Sequence, residues 1–460
     1  MTATSVAAAD DRAFLGHPRA LGYLAFAEAW ERFSFYGMQA LLVLYMTKQL
    51  LLPGHVENVV GFPAFRAAIE SVYGPLSPQA LGSAIFGLYA GLVYLTPILG
   101  GVLADRVLGR TTTIVIGGVT MAVGHFLMAF DAPFLLALLC LVLGCGCFKG
   151  NIASQIGSLY GPGDLRRADA FQIFYLAINA GVILAPLVAG TLGEKVAWHY
   201  GFGVAGVGMV VGLGVYLSGR KLLPADPPPR SVARAERPKL KKGEGRVIVV
   251  LIALLPVLAV GMVSNQQIFN AFMVWVDGHV NMQVAGFRLP VTWIVTFDSV
   301  VSVAALILVA AFWRVWGKSR REPDEIGKIA IGSFIATAGM LVLTAGAFLQ
   351  GAEGQKVSAW WVLGYIVLNE LGFANIAPVG LALYARVAPP AIASTIIGIY
   401  YLHLFAANNL TGWVGGFLER MPAWRFWLLH AAMAGGAGVV FLLVRPLLRS
   451  SLSPRADDAA

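Results

Sequence analysis

The chain has 460 residues, of which 58% are hydrophobic and only 12% charged, with a mean hydropathy of +0.74. A soluble globular chain carries about 25% charged residues, so the composition points away from a soluble enzyme or binding module and towards a polytopic membrane protein. The formal net charge of +9 does not imply nucleic acid, because the basic residues sit in alternate loops rather than on one face.

In chain order, apolar stretches long enough to cross a bilayer are expected at 19–48, 77–103, 111–130, 133–160, 168–192 and 199–219, and again at 247–276, 291–315, 327–349, 357–387, 391–418 and 424–447. Residues 1–18 read as a polar tail without an apolar signal-peptide core, so the first span is expected to stay in the membrane and direct insertion. With the amino terminus inside, the inner segments hold 24 Lys/Arg and the outer loops 7, and the other two, Arg32 and Lys149, are intramembrane. That asymmetry predicts both termini in the cytoplasm. Residues 220–246 carry Ala225-Asp-Pro-Pro-Pro-Arg230 and a basic run, and read as a cytoplasmic linker. The expected organisation is a tail (1–18), a six-helix bundle (19–219), the linker (220–246), a second six-helix bundle (247–447) and a tail (448–460). A six-plus-six layout suggests two repeats with a central substrate site.

The first span contains Glu28-Ala-Trp-Glu31-Arg32-Phe33-Ser34-Phe35-Tyr36. Glu28, Glu31 and Arg32 are three and four residues apart and share one side of a helix, which Phe35 and Gln39 continue. A charge at the bilayer centre costs about 2.5–3.5 kcal/mol on insertion scales, so the cluster must face protein or a water-filled cavity. It is either an internally paired structural cluster or a binding and proton-coupling wall. Cys140, Cys145 and Cys147 lie in one apolar stretch without metal-ligand spacing and read as small packing residues. The glycines of Gly201-Phe-Gly-Val-Ala-Gly-Val-Gly lack the Lys-Ser/Thr of a phosphate loop and suit close helix packing. No nucleophile elbow, metalloprotease or kinase motif is present.

After the second span, Gly100-Gly-Val-Leu-Ala-Asp105-Arg106-Val-Leu-Gly109-Arg110 resembles the cytoplasmic loop motif of the major facilitator superfamily, with one extra residue before the last Gly. The first-span stretch through Gly37 resembles the Glu-x-x-Glu-Arg-Phe-x-Tyr-Tyr-Gly motif of the proton-dependent oligopeptide transporter family. Phe148-Lys149-Gly150-Asn151 resembles that family's Phe-Lys-Pro-Asn, with Gly for Pro. Phe174-Tyr-Leu-Ala-Ile-Asn179-Ala-Gly181 resembles its Phe-Tyr-x-x-Ile-Asn-x-Gly. The resemblance covers all twelve spans in layout and is sharpest in the amino-terminal half.

A peptide is a zwitterion, so its site needs a cation for the carboxylate and an anion or carbonyl for the amine. Arg32 can fork onto a carboxylate and Lys149 can add a point charge. Asn179 can donate and accept. The resemblance places Arg32, Lys149, Tyr36, Tyr94 and Asn179 in a substrate cavity. Glu28 and Glu31 can be neutralised, so one of them is expected to release Arg32 on protonation. Glu370, in the tenth span, is costly unless paired. The resemblance offers it Lys149 as gating partner and the peptide amine as competitor. It lies eight residues before Pro378 where the family's Glu lies five before a Pro, a shift of about 4.5 Å in depth.

Gln39 and Gln266 stand where many bacterial members have an Arg and a Glu that pair across an outer gate. With both uncharged here, that gate is expected to close by amide hydrogen bonds or packing, and the seventh span to carry no proton site. Asp298, in the eighth span, replaces a family Asn and is either a second-half proton or amine site or a carboxylate near the headgroups. The two extra helices of some bacterial members do not fit in 220–246.

The sequence thus predicts an all-α membrane protein of the major facilitator fold, with twelve transmembrane helices in two bundles. The expected function is a proton-coupled symporter importing di- and tripeptides across the inner (plasma) membrane, using the proton gradient without a cofactor, as a functional monomer in the bilayer. The rival readings are a transporter of another amphipathic solute, such as a drug or modified peptide, and a peptide-binding receptor that does not transport.

Overall fold

The computed structural model describes residues 11–161, 164–224, 226, 244–350, 355–389 and 392–452. Helices occupy all twelve expected positions. In chain order they are α1 (Arg19–Tyr45), a short α2 (Phe62–Tyr73), α3 (Pro78–Leu103), α4 (Arg110–Leu127), α5 (Phe134–Ser158) and α6 (Arg166–Ala185). A short α7 (Thr191–Lys195) follows, then α8 (Trp198–Gly219), α9 (Glu244–Gln266), a short α10 (Ala271–His279), α11 (Trp293–Trp316), α12 (Glu325–Gln350), α13 (Ala359–Val387), α14 (Ala393–Gly415) and α15 (Ala423–Leu452). Among the described residues, nine helical segments are long and apolar enough to cross a membrane by length and composition. The first, third and eleventh spans fall outside that set. They carry Glu28, Glu31 and Arg32 in α1, Arg110 and His125 in α4, and His403, Asn408 and Asn409 in α14. The protein is a multi-pass membrane protein.

Three features differ from the expected spans. The seventh span is not one helix: it breaks at Gln267–Asn270 between α9 and α10. The fifth continues from α6 through a π turn at Pro186–Gly190 into α7. Helix α2 lies in what reads as the first outer loop. It starts after Gly61 at φ 77° with Pro63 in its first turn and stops at Gly74 at φ 76°, the usual Pro-in, Gly-out punctuation. Of the expected linker, Ala225 and residues 227–243 lie outside the described residues, as do the ends of both tails.

The chain forms two compact units. The first comprises the described parts of Met1–Gly74, Leu92–Ala233 and Leu289–Ser299; the second comprises those of Pro75–Gly91, Arg234–Arg288 and Val300–Ala460. The start of α3 therefore belongs to the second unit and the start of α11 to the first.

In the first unit α1 is central and almost wholly buried. Its neighbours approach it through glycines: on α8, a Cβ at Gly208 would crowd Phe33 and Ser34, and one at Gly212 would crowd Trp30. The glycine-rich stretch of the sixth span is thus a packing surface. The three cysteines are unpaired thiols on α5, two of them half-buried and Cys145 buried. In the second unit the core gathers Leu251, Leu254, Leu258 and Met262 of α9 with Ile329 of α12, Ile376 and Leu383 of α13 and Phe441 of α15.

The loop of the facilitator-like motif closes through a π turn, Ala104–Leu108, and Gly109 at φ 76°. Arg110 Nε lies 3.9 Å from Asp105. Asp226, from the region read as linker, returns to this loop: its Oδ2 accepts from the Thr111 amide at 2.9 Å, in the first turn of α4. A carboxylate there satisfies one of the amides that a helix start leaves unpaired. Thr111 Oγ1 accepts from Gln155 of α5, whose Oε1 accepts from Tyr216 of α8.

Candidate functional site

The first unit gathers three charged residues of α1 at one buried point. Arg32 Nε donates to Glu28 Oε1 at 2.8 Å and lies 2.8 Å from Glu31 Oε2. Glu31 is 0%, Glu28 2% and Arg32 4% exposed. Helical spacing brings Glu28 to this nitrogen from the turn below, and Glu31, the preceding residue, meets the same nitrogen. With all three ionised the triad carries one net negative charge; one added proton neutralises it.

Helix α6 reaches this point because of Gly181. A Cβ at that position would overlap the Ala29 carbonyl oxygen and press on Arg32 Cβ. Asn179, two residues before Gly181, lies about 200° round α6 from that contact. Asn179 Nδ2 donates to Tyr175 O of its own helix at 2.7 Å, which uses one of the carboxamide's hydrogen-bonding positions.

Aromatic rings connect Arg32 to Lys149. The Phe35 ring has the Arg32 guanidinium carbon 5.9 Å and the Lys149 Nζ 6.0 Å from its centroid. Lys149 Nζ sits 4.8 Å from the Tyr94 ring centroid, a cation–π distance. Tyr36 packs edge-on against Phe35 at 5.2 Å. Six expected residues, Glu28, Glu31, Arg32, Tyr36, Tyr94 and Lys149, are thus linked through Phe35, with Asn179 on the adjoining helix. Gln39, two turns along α1 from Arg32, is buried, and its Oε1 has no hydrogen-bond partner among the described residues.

Asp298 is in the second half by sequence but in the first unit by structure. The start of α11 is held there by Glu194 of α7, whose carboxylate accepts from the amides of Val291 and Thr292 and from the Thr292 hydroxyl at 2.7–2.8 Å. Thr296 donates to Ile183 O, one turn beyond Asn179 on α6. Asp298 is 8% exposed, so it faces protein rather than headgroups.

In the second unit Glu370 is 2% exposed on α13. Its Oε1 accepts from Asn265 Nδ2 at 2.9 Å and from Asn369 Nδ2 at 3.1 Å. Gln266 Nε2 donates to Asn265 Oδ1 at 3.4 Å. Asn265 is the partner that the sequence reading missed. Its signal was there, in three consecutive amides at the end of an otherwise apolar helix. Asn408 and Asn409 each donate to a carbonyl of their own helix, and His403 Nδ1 faces Tyr400 O. These hydrogen bonds are all internal to α14. No group of three or more His, Cys, Asp or Glu side chains able to hold a metal occurs among the described residues.

A sequence profile described as the POT family matches residues 111–240 and 234–427. Peptide transporter YePEPT of Yersinia enterocolitica subsp. palearctica is 29% identical over 534 residues, covering 99% of this chain and 100% of that protein. A di-/tripeptide transporter of Lactococcus lactis subsp. cremoris is 27% identical over 508 residues, covering 95% and 97%. Among solved structures, peptide transporter POT in complex with sulfate has a TM-score of 0.83 at 27% identity, covering 98% of this chain and 99% of that one. A mutant of peptide transporter POT in complex with alafosfalin has the same TM-score and identity, covering 99% and 100%.

Proposed function

The chain belongs to the POT family, with the major facilitator fold, and on that premise we propose that it is a proton-coupled symporter importing di- and tripeptides by alternating access. It is a transporter rather than an enzyme, in keeping with the peptide transporters it resembles along their whole length.

The observation that carries this reading is the buried triad of Glu28, Glu31 and Arg32, because it joins a proton site to an anion site in one ion-paired set. While both glutamates are ionised they hold the guanidinium. A proton on either removes one ion pair and turns that face of Arg32 towards another carboxylate. The peptide's carboxylate is such a partner, and a bidentate fork favours it. Lys149 adds the second positive charge, while Tyr36, Tyr94 and Asn179 supply adaptable polar contacts. Glu370 offers the negative charge for the amine. It is already bonded to two asparagine amides, so an arriving ammonium takes over an anion that is held in place.

Glu28 and Glu31 are the proposed coupling carboxylates, with Asp298 and Glu370 as further proton sites. Lys149 with Glu370, and Gln39 with Gln266, take the gating roles. The excess of Lys and Arg in alternate loops supports cytoplasmic termini in the inner (plasma) membrane. A functional monomer driven by the proton gradient, without a cofactor, completes the proposal.

The test is uptake of a labelled dipeptide into proteoliposomes with and without an imposed inwardly directed (acid-outside) proton gradient. Accumulation above equilibrium only with the gradient is expected. Binding without accumulation would favour a receptor, and competition by a non-peptide solute alone would favour another substrate. In Glu28→Gln and Glu31→Gln, full gradient-driven uptake in both would remove these residues from coupling.

A further inference from the structure

One titratable group in the second unit has no part in that scheme. His430, on α15, is 0% exposed. Its Nδ1 lies 2.8 Å from Phe426 O. A carbonyl oxygen only accepts, so the ring proton sits on Nδ1, and Nε2 is a bare acceptor. Nε2 faces the Gln267 side-chain amide nitrogen at 3.0 Å. The Gln267 amide is oriented from its other end, because its Oε1 accepts from the Ala271 amide at 3.2 Å. Its nitrogen also points to Thr411 O at 3.5 Å.

Gln267 is therefore a clamp across the break of the seventh span. It sits at the first residue past α9, and its Oε1 takes the first amide of α10. The clamp fits only a neutral His430. A proton on Nε2 would set an N–H against the N–H of Gln267. The amide would then have to turn, which would release Ala271 N–H and place the amide oxygen against the Thr411 carbonyl. Next to the clamp, Asn270 donates to Ser83 O and Thr411 O at 3.4 Å, so hydrogen bonds tie the break to three helices.

The groups around His430 are mostly neutral, and neither of its hydrogen-bonding partners carries a charge. On its own helix these are Phe426 and Trp427, with ring centroids at 4.5 and 5.5 Å. From α10, Trp275 packs on Trp427 and His279 stacks on Trp275. From α13 come Tyr365, whose hydroxyl donates to Ser264 O, and Glu370, whose Oε1 accepts from Asn265. Thr411 comes from α14. Helices α9 and α12 carry their charged residues, Glu244, Arg246, Glu325 and Lys328, only in their first turns, and Arg425 lies more than one turn before His430 on α15.

We propose that His430 is a proton acceptor of the second unit, and that its protonation opens the Gln267 clamp at the break between α9 and α10. The proton enters and leaves at Nε2, and no other bond is made or broken. Asn265-Gln266-Gln267, which lacks the carboxylate of many relatives, then lies between two titratable groups, Glu370 at Asn265 and His430 at Gln267. The consequence for transport rests on the symport reading; the clamp itself does not.

The test is hydrogen exchange of amides 267–279 in the full chain in nanodiscs, corrected for intrinsic rate, between about pH 8 and pH 3.5, low enough to charge a buried imidazole. Protection should fall on acidification by about tenfold, the worth of one hydrogen bond. His430→Gln and Gln267→Met should each abolish the pH dependence, and the second keeps the histidine should the first not fold. Protection independent of pH in the wild type overturns the proposal. In proteoliposomes, His430→Gln should lose gradient-driven dipeptide accumulation to a greater degree than counterflow. An equal loss of both, or none, overturns the coupling role. A working clamp in a wild type that accumulates no peptide would instead sink the symport reading and leave the clamp standing.

Discussion

The two units solve the problem of polarity inside a membrane protein in opposite ways. In the first, two buried carboxylates converge on one guanidinium nitrogen. In the second, Glu370 accepts from the amides of Asn265 and Asn369, and His430 meets the amide of Gln267. An ion pair can exchange one partner for another of like charge, as substrate capture requires. An amide cannot; it can only turn. The first region is thus built to trade partners and the second to change orientation, and substitutions that cross those characters should separate them.

The largest effect is expected where the first region loses its fork. Arg32→Lys keeps the charge but cannot serve two carboxylates and a substrate with one compact ammonium. Breaking a buried pair costs about 3–5 kcal/mol, and even the lower figure is about a hundredfold in an equilibrium. Dipeptide uptake should therefore fall about a hundredfold or more. Wild-type uptake by Arg32→Lys would mean that charge alone suffices, and the contrast with the second unit would disappear.

In the second region the decisive pair is Glu370→Gln and Asn265→Leu. Glutamine keeps an oxygen for Asn265 and removes the charge; leucine keeps the charge and removes the hydrogen bond. If Glu370 meets the peptide amine, Glu370→Gln should raise the KM for a dipeptide about tenfold, the scale of one lost charge-assisted hydrogen bond. Asn265→Leu should change it less. The reverse order would make the amide, rather than the charge, the recognition element.

What was legible in the sequence follows the same division. All twelve helices were, because apolar runs of span length admit little else. The Glu28–Arg32 pair of the α1 triad was, because charges four residues apart share one side of a helix. The contact of α6 at Gly181 was present only as a motif glycine; its meaning needed the position of Ala29. The break at Gln267–Asn270 was not legible, because it contains neither Gly nor Pro. It is made by a side chain replacing a backbone acceptor, and that acceptor is polarised by a histidine 163 residues away. Asp298 illustrates the same limit: its sequence position assigns it to the second half, while Glu194 and Ile183 hold its helix start in the first unit. Local periodicity is read from sequence, and long-range polar contacts are not.

Glycines at close helix approaches give a finer test. Gly181→Ala would push α6 from Ala29 and Arg32, and Gly87→Ala would push the start of α3 from Asn408 and Gly412 of α14. Overpacking of this kind costs about 1–3 kcal/mol, so both should lower the melting temperature in detergent. Only Gly181→Ala should also weaken substrate binding, because only it abuts the triad. Equal loss of affinity in both would show that peptide binding reads overall packing rather than the placement of Arg32.

The smallest effect separates the units by how each finishes a helix. Helix α12 is capped from next door: Asp324, the residue before it, accepts from the Gly327 amide at 2.8 Å and is held by Arg445 Nε at 2.9 Å. Helix α4 begins after Gly109, which has no side chain to offer, and takes its carboxylate from Asp226, which lies beyond α8 in the chain. Replacing a capping carboxylate by alanine costs about 1 kcal/mol. Asp324→Ala should cost that, with at most about 1 kcal/mol more from the half-exposed ion pair with Arg445, and act locally. Asp226→Ala should cost no more than its cap, yet its effect should spread, because the same contact ties the stretch after α8 to the loop before α4. The measurement is hydrogen exchange rather than melting. Asp226→Ala should raise exchange at residues 104–113 and also at 220–224, whereas Asp324→Ala should raise it only at the start of α12. Exchange confined to 104–113 in Asp226→Ala would reduce that contact to an ordinary cap and remove this difference between the units.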